Sequence, residues 1–297
     1  MKKLGLALSG GGLRGFAHIG VLQILEENQV PVSMISGTSA GSIITALYAS
    51  GMSPRAMEEV ALSLSVSDYI DYNWRGLLQY LISLRYPRLK SDFDGFVRGD
   101  RLERMIYELT QGKSLQDCKI PLAIVACDIN TGKKVVFSNR PIGKDDPDQE
   151  LVSIAWLSEA SRASSAIPGV FTPKDVGDMQ LVDGGVCDMV PVIEQKALGA
   201  EYILAVNLGD KNYDQEVRGM IPVITRSLNI LEYETSHLAE ELYADLVITP
   251  ATGDVHLDDL SQTASLIRSG RRAMKANLNQ LLDGLNQSGN RKRLAFI

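Results

Sequence analysis

The sequence predicts an α/β fold, with parallel strands in one sheet and helices on both of its faces. Three observations lead there. The 297-residue chain is 45% hydrophobic and 22% charged, ordinary globular proportions with enough apolar residues for a large core. Its first fifty residues alternate short apolar runs with stretches of helical spacing. Parallel strands buried on both faces read as such unbroken apolar runs, and helices make the crossovers between them.

Leu4 to Ser9 is the first apolar run, of buried-strand type, and a glycine loop follows it. Phe16 to Asn28 sets Phe16, Ile19, Leu22, Ile24 and Leu25 at helical spacing. VSMIS, Val32 to Ser36, is a second strand; Ala40 to Ser50 is a small-residue helix that stops at Gly51. Pro54, suited to a first helical turn, opens a helix to about Ser65. Residues 67–98 break the alternation. Arg101 to Leu109 is helical again, and PLAIVACDINTGKKVVF reads as two strands around an NTG turn. Leu151 to Ala163 is expected to be a helix, MQLVDGG a strand entering a glycine turn, Val192 to Leu198 a helix and YILAVNLG a strand. A long helix over Met220 to Leu242, the strand LVITP and a helix over Leu260 to Leu285 complete the pattern. With no repeat or linker, residues 1–297 read as one domain. It has a motif-bearing core at about 3–208, C-terminal helices at about 218–286 and a basic tail at 287–297.

A net charge of −6 and a pI near 5.2 argue against nucleic acid as a partner. Cys118, Cys127 and Cys187 are odd in number, lack CxxC spacing and sit beside apolar runs, so free buried thiols in a reducing compartment are expected. The apolar part of MKKLGLALSGGG, Leu4 to Leu8, is shorter than the roughly 7–15 residues of a signal-peptide core. No uninterrupted apolar span reaches the ~20 residues that cross a bilayer. A cytoplasmic protein is expected.

SGTSAG, Ser36 to Gly41, places Ser39 between Gly37 and Gly41 in the form G-x-S-x-G, after a strand and before a helix. That is the context of a nucleophile elbow, in which flanking glycines keep Cβ atoms out of the neighbouring strand and helix. A tight turn of small residues is the plainer alternative. SGGGLRG, Ser9 to Gly15, also joins a strand to a helix. Its Gly10, Gly12 and Gly15 satisfy the dinucleotide fingerprint G-x-G-x-x-G, but that reading requires a carboxylate at the end of the second strand. SGTSAG stands there instead. The other use of consecutive glycines is an oxyanion hole, in which backbone N–H groups converge at a helix N-terminus. Arg14 could add positive charge to it.

A nucleophilic serine needs a base. Of the three histidines, His18 reads as a helix-surface or partly buried residue and His237 as part of a charged helix face. His256 follows a late strand, so Ser39, Asp183 and His256 would fit the chain order of an α/β-hydrolase triad. Asp183 acting alone would need its pKa raised by burial.

GGGLRG, GTSAG and the DGG of Asp183 to Gly185, in that order, resemble the patatin-like phospholipase family. CDINTGKKVVF, ASRASSAIPGVFTP, LVDGGVCDMVPV and ALGAEYILAVNL extend the likeness over roughly Lys3 to Leu208. The resemblance implies a three-layer α/β/α sandwich with a mostly parallel, mixed central sheet. It also implies a Ser39–Asp183 dyad, with Gly10, Gly11 and Gly12 as oxyanion donors and Gly37, Gly41, Gly184 and Gly185 shaping the turns. The activity implied is hydrolysis of acyl esters of phospholipids or related lipids, with no metal and no cofactor. His256 is then a bystander. A non-catalytic lipid-binding protein on the same fold has no use for a strained serine.

Two further stretches carry expectations. Tyr69 to Lys90 gathers Tyr69, Tyr72, Trp74, Tyr80 and Tyr86 among leucines, with Arg75, Arg85, Arg88 and Lys90 and no acid from Arg75 onward. Such a segment suits peripheral contact with a lipid interface; the alternative is a leucine stripe packed on the sheet. Asp254, Asp258 and Asp259 do not match a calcium-loop spacing and suit a helix N-terminus. Ser161, Ser164 and Ser165 lack the elbow context, so packing or capping roles are expected of them.

Overall fold

The computed structural model describes residues 1–86, 93–142, 146–209, 216–253 and 255–287. Arg88, Lys90, Asp254 and residues 288–297 of the basic tail lie outside the described residues.

The chain begins with β1 (Leu4–Leu8), α1 (Phe16–Glu27), β2 (Val32–Thr38), α2 (Ala40–Ala49), α3 (Pro54–Ser63), α4 (Val66–Tyr69) and α5 (Trp74–Arg85). There follow β3 (Gly95–Val97), α6 (Asp100–Leu109), β4 (Leu122–Asp128), β5 (Lys134–Ser138), β6 (Gln149–Val152) and α7 (Leu157–Ser164). The remainder is β7 (Gly169–Phe171), β8 (Lys174–Val176), β9 (Met179–Asp183), α8 (Val192–Ala197), β10 (Tyr202–Val206), α9 (Met220–Tyr243), β11 (Leu246–Ile248) and α10 (Thr263–Asn286).

Among the described residues the main sheet runs β11-β10-β1-β2-β4-β5-β6, with β9 also on β4 and β8 on β9. The block from β11 to β4 is parallel; β4 pairs antiparallel with both β5 and β9. This is the mixed, mostly parallel sheet of a three-layer α/β/α sandwich. Side-chain alternation divides the core between its faces. Leu4, Leu6, Leu8, Leu204 and Val206 point into a large cluster with residues of α1, α2, α7 and α10. Ala7, Met34, Ile203 and Ala205 meet Val190 and Val192, at the start of α8, on the other face.

Residues 149–152 depart from expectation. The run that reads as a helix from Leu151 begins as strand β6, which pairs parallel with β5 through Leu151↔Val136, and the helix starts only at Leu157. Short apolar runs have no period that separates strand from helix, and an open sheet edge beside Val136 takes this one.

The topology around β4 places the candidate site. β2 pairs with the first half of β4, ending at Thr38↔Val125. β9 pairs with the second half, ending at Asp183↔Ala126. β5 occupies the opposite edge. β2 and β9 therefore meet tail to tail on successive residues of one strand. Residues far apart in the sequence, Thr38–Ser39 and Asp183, are joined through Val125–Ala126.

Candidate active site

Ser39 caps α2 with φ 52° and ψ −124°, a left-handed backbone that a side chain rarely adopts. Such a conformation is worth about 1–3 kcal/mol of strain and persists only when its surroundings hold it. They do so by close contact. A Cβ at Gly41 would lie 2.3 Å from the Leu8 carbonyl oxygen, and one at Gly37 would lie 2.3 Å from the Gly41 carbonyl. The Ser39 N–H donates to Ser164 Oγ at 2.9 Å, and Ser164 Oγ donates onward to the Val125 carbonyl. The Ser39 carbonyl accepts from Ser42 Oγ at 2.6 Å.

Asp183 ends β9. Its N–H donates to the Ala166 carbonyl at 2.9 Å, and its Oδ1 accepts from the Gly185 N–H at 2.8 Å. Gly184 has no room for a side chain, since a Cβ there would collide with the Val125 carbonyl. Asp183 is 4% exposed and Ser39 5%. Burial pushes the Asp183 carboxyl up to about 6, while the Ser39 hydroxyl and the Gly185 N–H pull it down. The hydroxyl is thus close enough to favour the carboxylate. Even so, Oδ2 has no hydrogen bond of good geometry, so the pair is apposed rather than closed.

The glycine loop lies against the same corner. A Cβ at Gly10 would come within 2.9 Å of Ser39 Cβ and 2.7 Å of Met189 Sδ. Gly10 differs from the expectation of three free amides, because its N–H donates to the Met189 carbonyl at 3.3 Å. The N–H groups of Gly11 (φ 148°) and Gly12 (φ 57°) have no acceptor among the described residues. Gly11 caps and Gly12 opens the 3-10 turn Gly12–Gly15, where orphan donors are intrinsic. Arg14 turns back on the loop, its Nε donating to the Gly11 carbonyl at 3.1 Å.

His18 is not on the surface. It is fully buried beneath the loop, its Nε2 donating to the Ser9 carbonyl at 2.8 Å, and burial lowers its pKa to about 4 despite that bond. A neutral imidazole thus props the glycine loop from behind. His256 is exposed, and its carbonyl accepts from the Asp259 N–H at 3.1 Å; among the described residues nothing brings it to Ser39 or Asp183. Its neighbour Leu257 does reach the loop, and would lie 2.7 Å from a Cβ on Gly12. His237 is exposed and pairs with Glu241 at 3.3 Å.

An apolar cavity of about 110 Å³ opens beside this corner. It starts at Gly12 and Ala40 and runs between α2, α3, α4 and α6 past Ile43, Leu47, Met57 and Ala61. α5 stands apart from it. None of its residues is buried, and Trp74 is 68% exposed with Leu78, Leu81 and Leu84 also in solvent. The alternative that this leucine stripe packs on the sheet does not hold. Among the described residues no helix is long and apolar enough to cross a membrane.

The sequence alone does not give the parts played by Ser164, Ala166, Met189 and His18. The small-residue run around Ser164 hints at close packing, but which backbone groups it serves depends on α7 lying over β4.

The sequence profile of patatin-like phospholipases matches residues 6–194. An uncharacterized NTE family protein of Mycobacterium bovis is 30% identical over 206 residues, 69% of this chain and 49% of its own length. Lysophospholipase NTE1 of Debaryomyces hansenii is 30% identical over 210 residues, 70% of this chain and 12% of its own. The chain therefore spans about half of the first relative and a small part of the second. Among solved structures, VipD from Legionella pneumophila superimposes with a TM-score of 0.51 at 14% identity, over 96% of this chain and 67% of that one. The match over most of the motif-bearing core, together with these relatives, makes the chain a member of the patatin-like phospholipase family.

Proposed function

We propose that the chain is a serine acyl hydrolase that cleaves ester bonds of phospholipids or lysophospholipids, with Ser39 as nucleophile and Asp183 as its base. One observation carries the reading. A strained serine at a strand-to-helix corner stands beside a buried carboxylate that has one oxygen without a partner. Ser39 Oγ attacks the ester carbonyl carbon as its proton passes to Asp183 Oδ2. The tetrahedral oxyanion is held by the amides of Gly11 and Gly12, with Gly10 supplying the close approach. The departing alcohol takes the proton from Asp183, and water then cleaves the acyl-serine by the same steps reversed. Removing one such amide donor typically lowers the rate ~100–1,000-fold.

The apolar cavity beside Gly12 and Ala40 suits an acyl chain. The lysophospholipase among the relatives supports a lipid ester as substrate. The test is fatty-acid release from diacyl and monoacyl phospholipid, together with a fluorophosphonate label mapped by mass spectrometry. A label on Ser39 and fatty-acid release are expected; neither appearing would remove the proposal. The triad alternative has its own check. His256→Ala should keep kcat/KM within about threefold, because the ring lies away from the reacting groups. A hundredfold loss with the fold intact would make the histidine part of the machinery.

The segment from Tyr69 gives the protein its contact with the lipid surface in this reading. α5 exposes Trp74, Leu78 and Leu81, carries Arg75 and Arg85 and no acid, and begins five residues after Tyr69, which lines the cavity. Apolar and aromatic groups flanked by cations suit an anionic bilayer face. Replacing Trp74, Leu78 and Leu81 together by serine should weaken co-sedimentation with anionic vesicles at least about tenfold, since each buried apolar side chain is worth ~1.5–3 kcal/mol. Unchanged sedimentation would discard this surface.

A further inference from the structure

Two of the three cysteines come together beside the Asp183 turn. Cys127 lies in β4 opposite Val182, one residue past the Ala126↔Asp183 pair. Cys187 ends the 3-10 turn Gly184–Val186 that Asp183 itself caps. Both sulfurs lie over one tight turn. Cys127 Sγ is 4.0 Å from the Asp128 carbonyl oxygen and Cys187 Sγ is 4.0 Å from that of Gly132. The turn is closed by the Gly132 N–H, which donates to the same Asp128 carbonyl at 2.8 Å.

The two thiols lie close enough across this turn to act on each other. That interaction is the first cause holding Cys127 below the ordinary thiol range and Cys187 above it, so Cys127 is the better thiolate. Cys127 is buried and Cys187 half-buried, which leaves a small oxidant one side of approach. Cys118 is elsewhere, its thiol donating to the Ser114 carbonyl. No step of the proposed hydrolysis uses any of these sulfurs.

We propose that Cys127 and Cys187 form a peroxide-sensitive pair whose disulfide distorts the turn that fixes Asp183. The Cys127 thiolate attacks one oxygen of hydrogen peroxide; the O–O bond breaks, hydroxide leaves, and a sulfenic acid forms. The Cys187 sulfur then attacks the Cys127 sulfur and displaces hydroxide. Both hydroxides take up the thiol protons. Two thiols and one peroxide thus give one disulfide and two waters, the sulfurs losing the two electrons that the peroxide gains.

A disulfide brings the sulfurs to about 2 Å, roughly half of a thiol–thiol contact. The movement falls on Gly184 to Cys187. There the Cys187 and Asp188 N–H groups both donate to the Gly184 carbonyl, at 3.0 and 2.8 Å, and the Gly185 N–H holds Asp183 Oδ1. A catalytic group misplaced by about 1 Å can lose ~100-fold in rate. The effect on hydrolysis rests on Asp183 being the base; the cross-link does not.

The reduced protein is treated with hydrogen peroxide, remaining thiols are alkylated, and unreduced peptides are mapped by mass spectrometry. Wild type and Cys118→Ser should yield a linked Cys127–Cys187 peptide that dithiothreitol removes, and Cys187→Ser should not. Amide exchange over residues 183–188 should change on oxidation. Hydrolysis should fall at least about tenfold and return with the reductant, while Cys187→Ser resists peroxide. Absence of the linked peptide, or its presence with unchanged exchange over 183–188, would overturn the proposal. Should the reduced wild type hydrolyse no lipid ester, the functional reading fails separately, and the linked peptide and amide exchange still decide this one.

Discussion

Ser39→Ala is expected to lower kcat for acyl-ester hydrolysis by on the order of a million-fold, as loss of a serine nucleophile does elsewhere, and to leave the protein folded. The corner is held by backbone contacts that alanine keeps: the N–H to Ser164 Oγ and the carbonyl to Ser42 Oγ. Fatty-acid release and fluorophosphonate labelling measure the loss, and thermal unfolding checks the fold. The hydroxyl is also one of the two groups that favour Asp183 as carboxylate, so its removal should push that carboxyl further above about 6. Activity above about one per cent of wild type in a folded variant would move the nucleophile elsewhere.

The second large effect joins activity to stability. Asp183→Asn should be inactive, because the amide accepts no proton from Ser39, yet more stable than wild type at pH 7. Burial raises the folded-state pKa from 3.8 to about 6. The folded protein therefore binds that proton more tightly than the unfolded chain does. The stability this gives is complete below about pH 4 and is lost as pH rises through about 6. Above that, a buried carboxylate lacking one partner stands at a penalty of about 3 kcal/mol, at roughly 1.4 kcal/mol per pKa unit. Asparagine keeps the bond from the Gly185 N–H and carries no charge, so it should recover on the order of 1–3 kcal/mol. Urea unfolding at pH 7.5 and pH 4 measures this, with the difference between variants vanishing at the lower pH. The wild-type kcat/KM should fall about tenfold per pH unit below pH 6, as the base becomes protonated. Equal stabilities at both pH values would show that the carboxyl is not strained by its burial.

Much of this was legible because the chain punctuates its chemistry with glycine. Gly37 and Gly41 flank Ser39 where any Cβ would strike backbone, and that steric demand is written into the local sequence. The strand–helix alternation was equally readable where the strands are short apolar runs, as β1, β2, β4 and β10 are. What stayed hidden depends on tertiary neighbours. His18 sits at a helical position that looks like surface until α1 packs below the glycine loop. The Gly10 N–H reads as free until Met189 supplies its acceptor. Leu151 carries no mark to say that an open sheet edge will claim it before a helix can start. The leucines of α5 look like a packing stripe, and only the fold reveals that Leu78, Leu81 and Leu84 stay exposed. Cys127 and Cys187 gave no spacing signal, because their meeting depends on β9 running back along β4.

That antiparallel return has a consequence for the chemistry. Two strand ends that abut on consecutive residues of a third are separated by about one 3.4 Å step, far less than the width of an imidazole ring with a hydrogen bond on either side. If the proposed dyad holds, a fold that sets serine and acid this close leaves no space for the intermediary that other serine hydrolases insert between them. Proton transfer in that dyad would run over a single short hop, between side chains whose backbones are held in place by consecutive residues of β4.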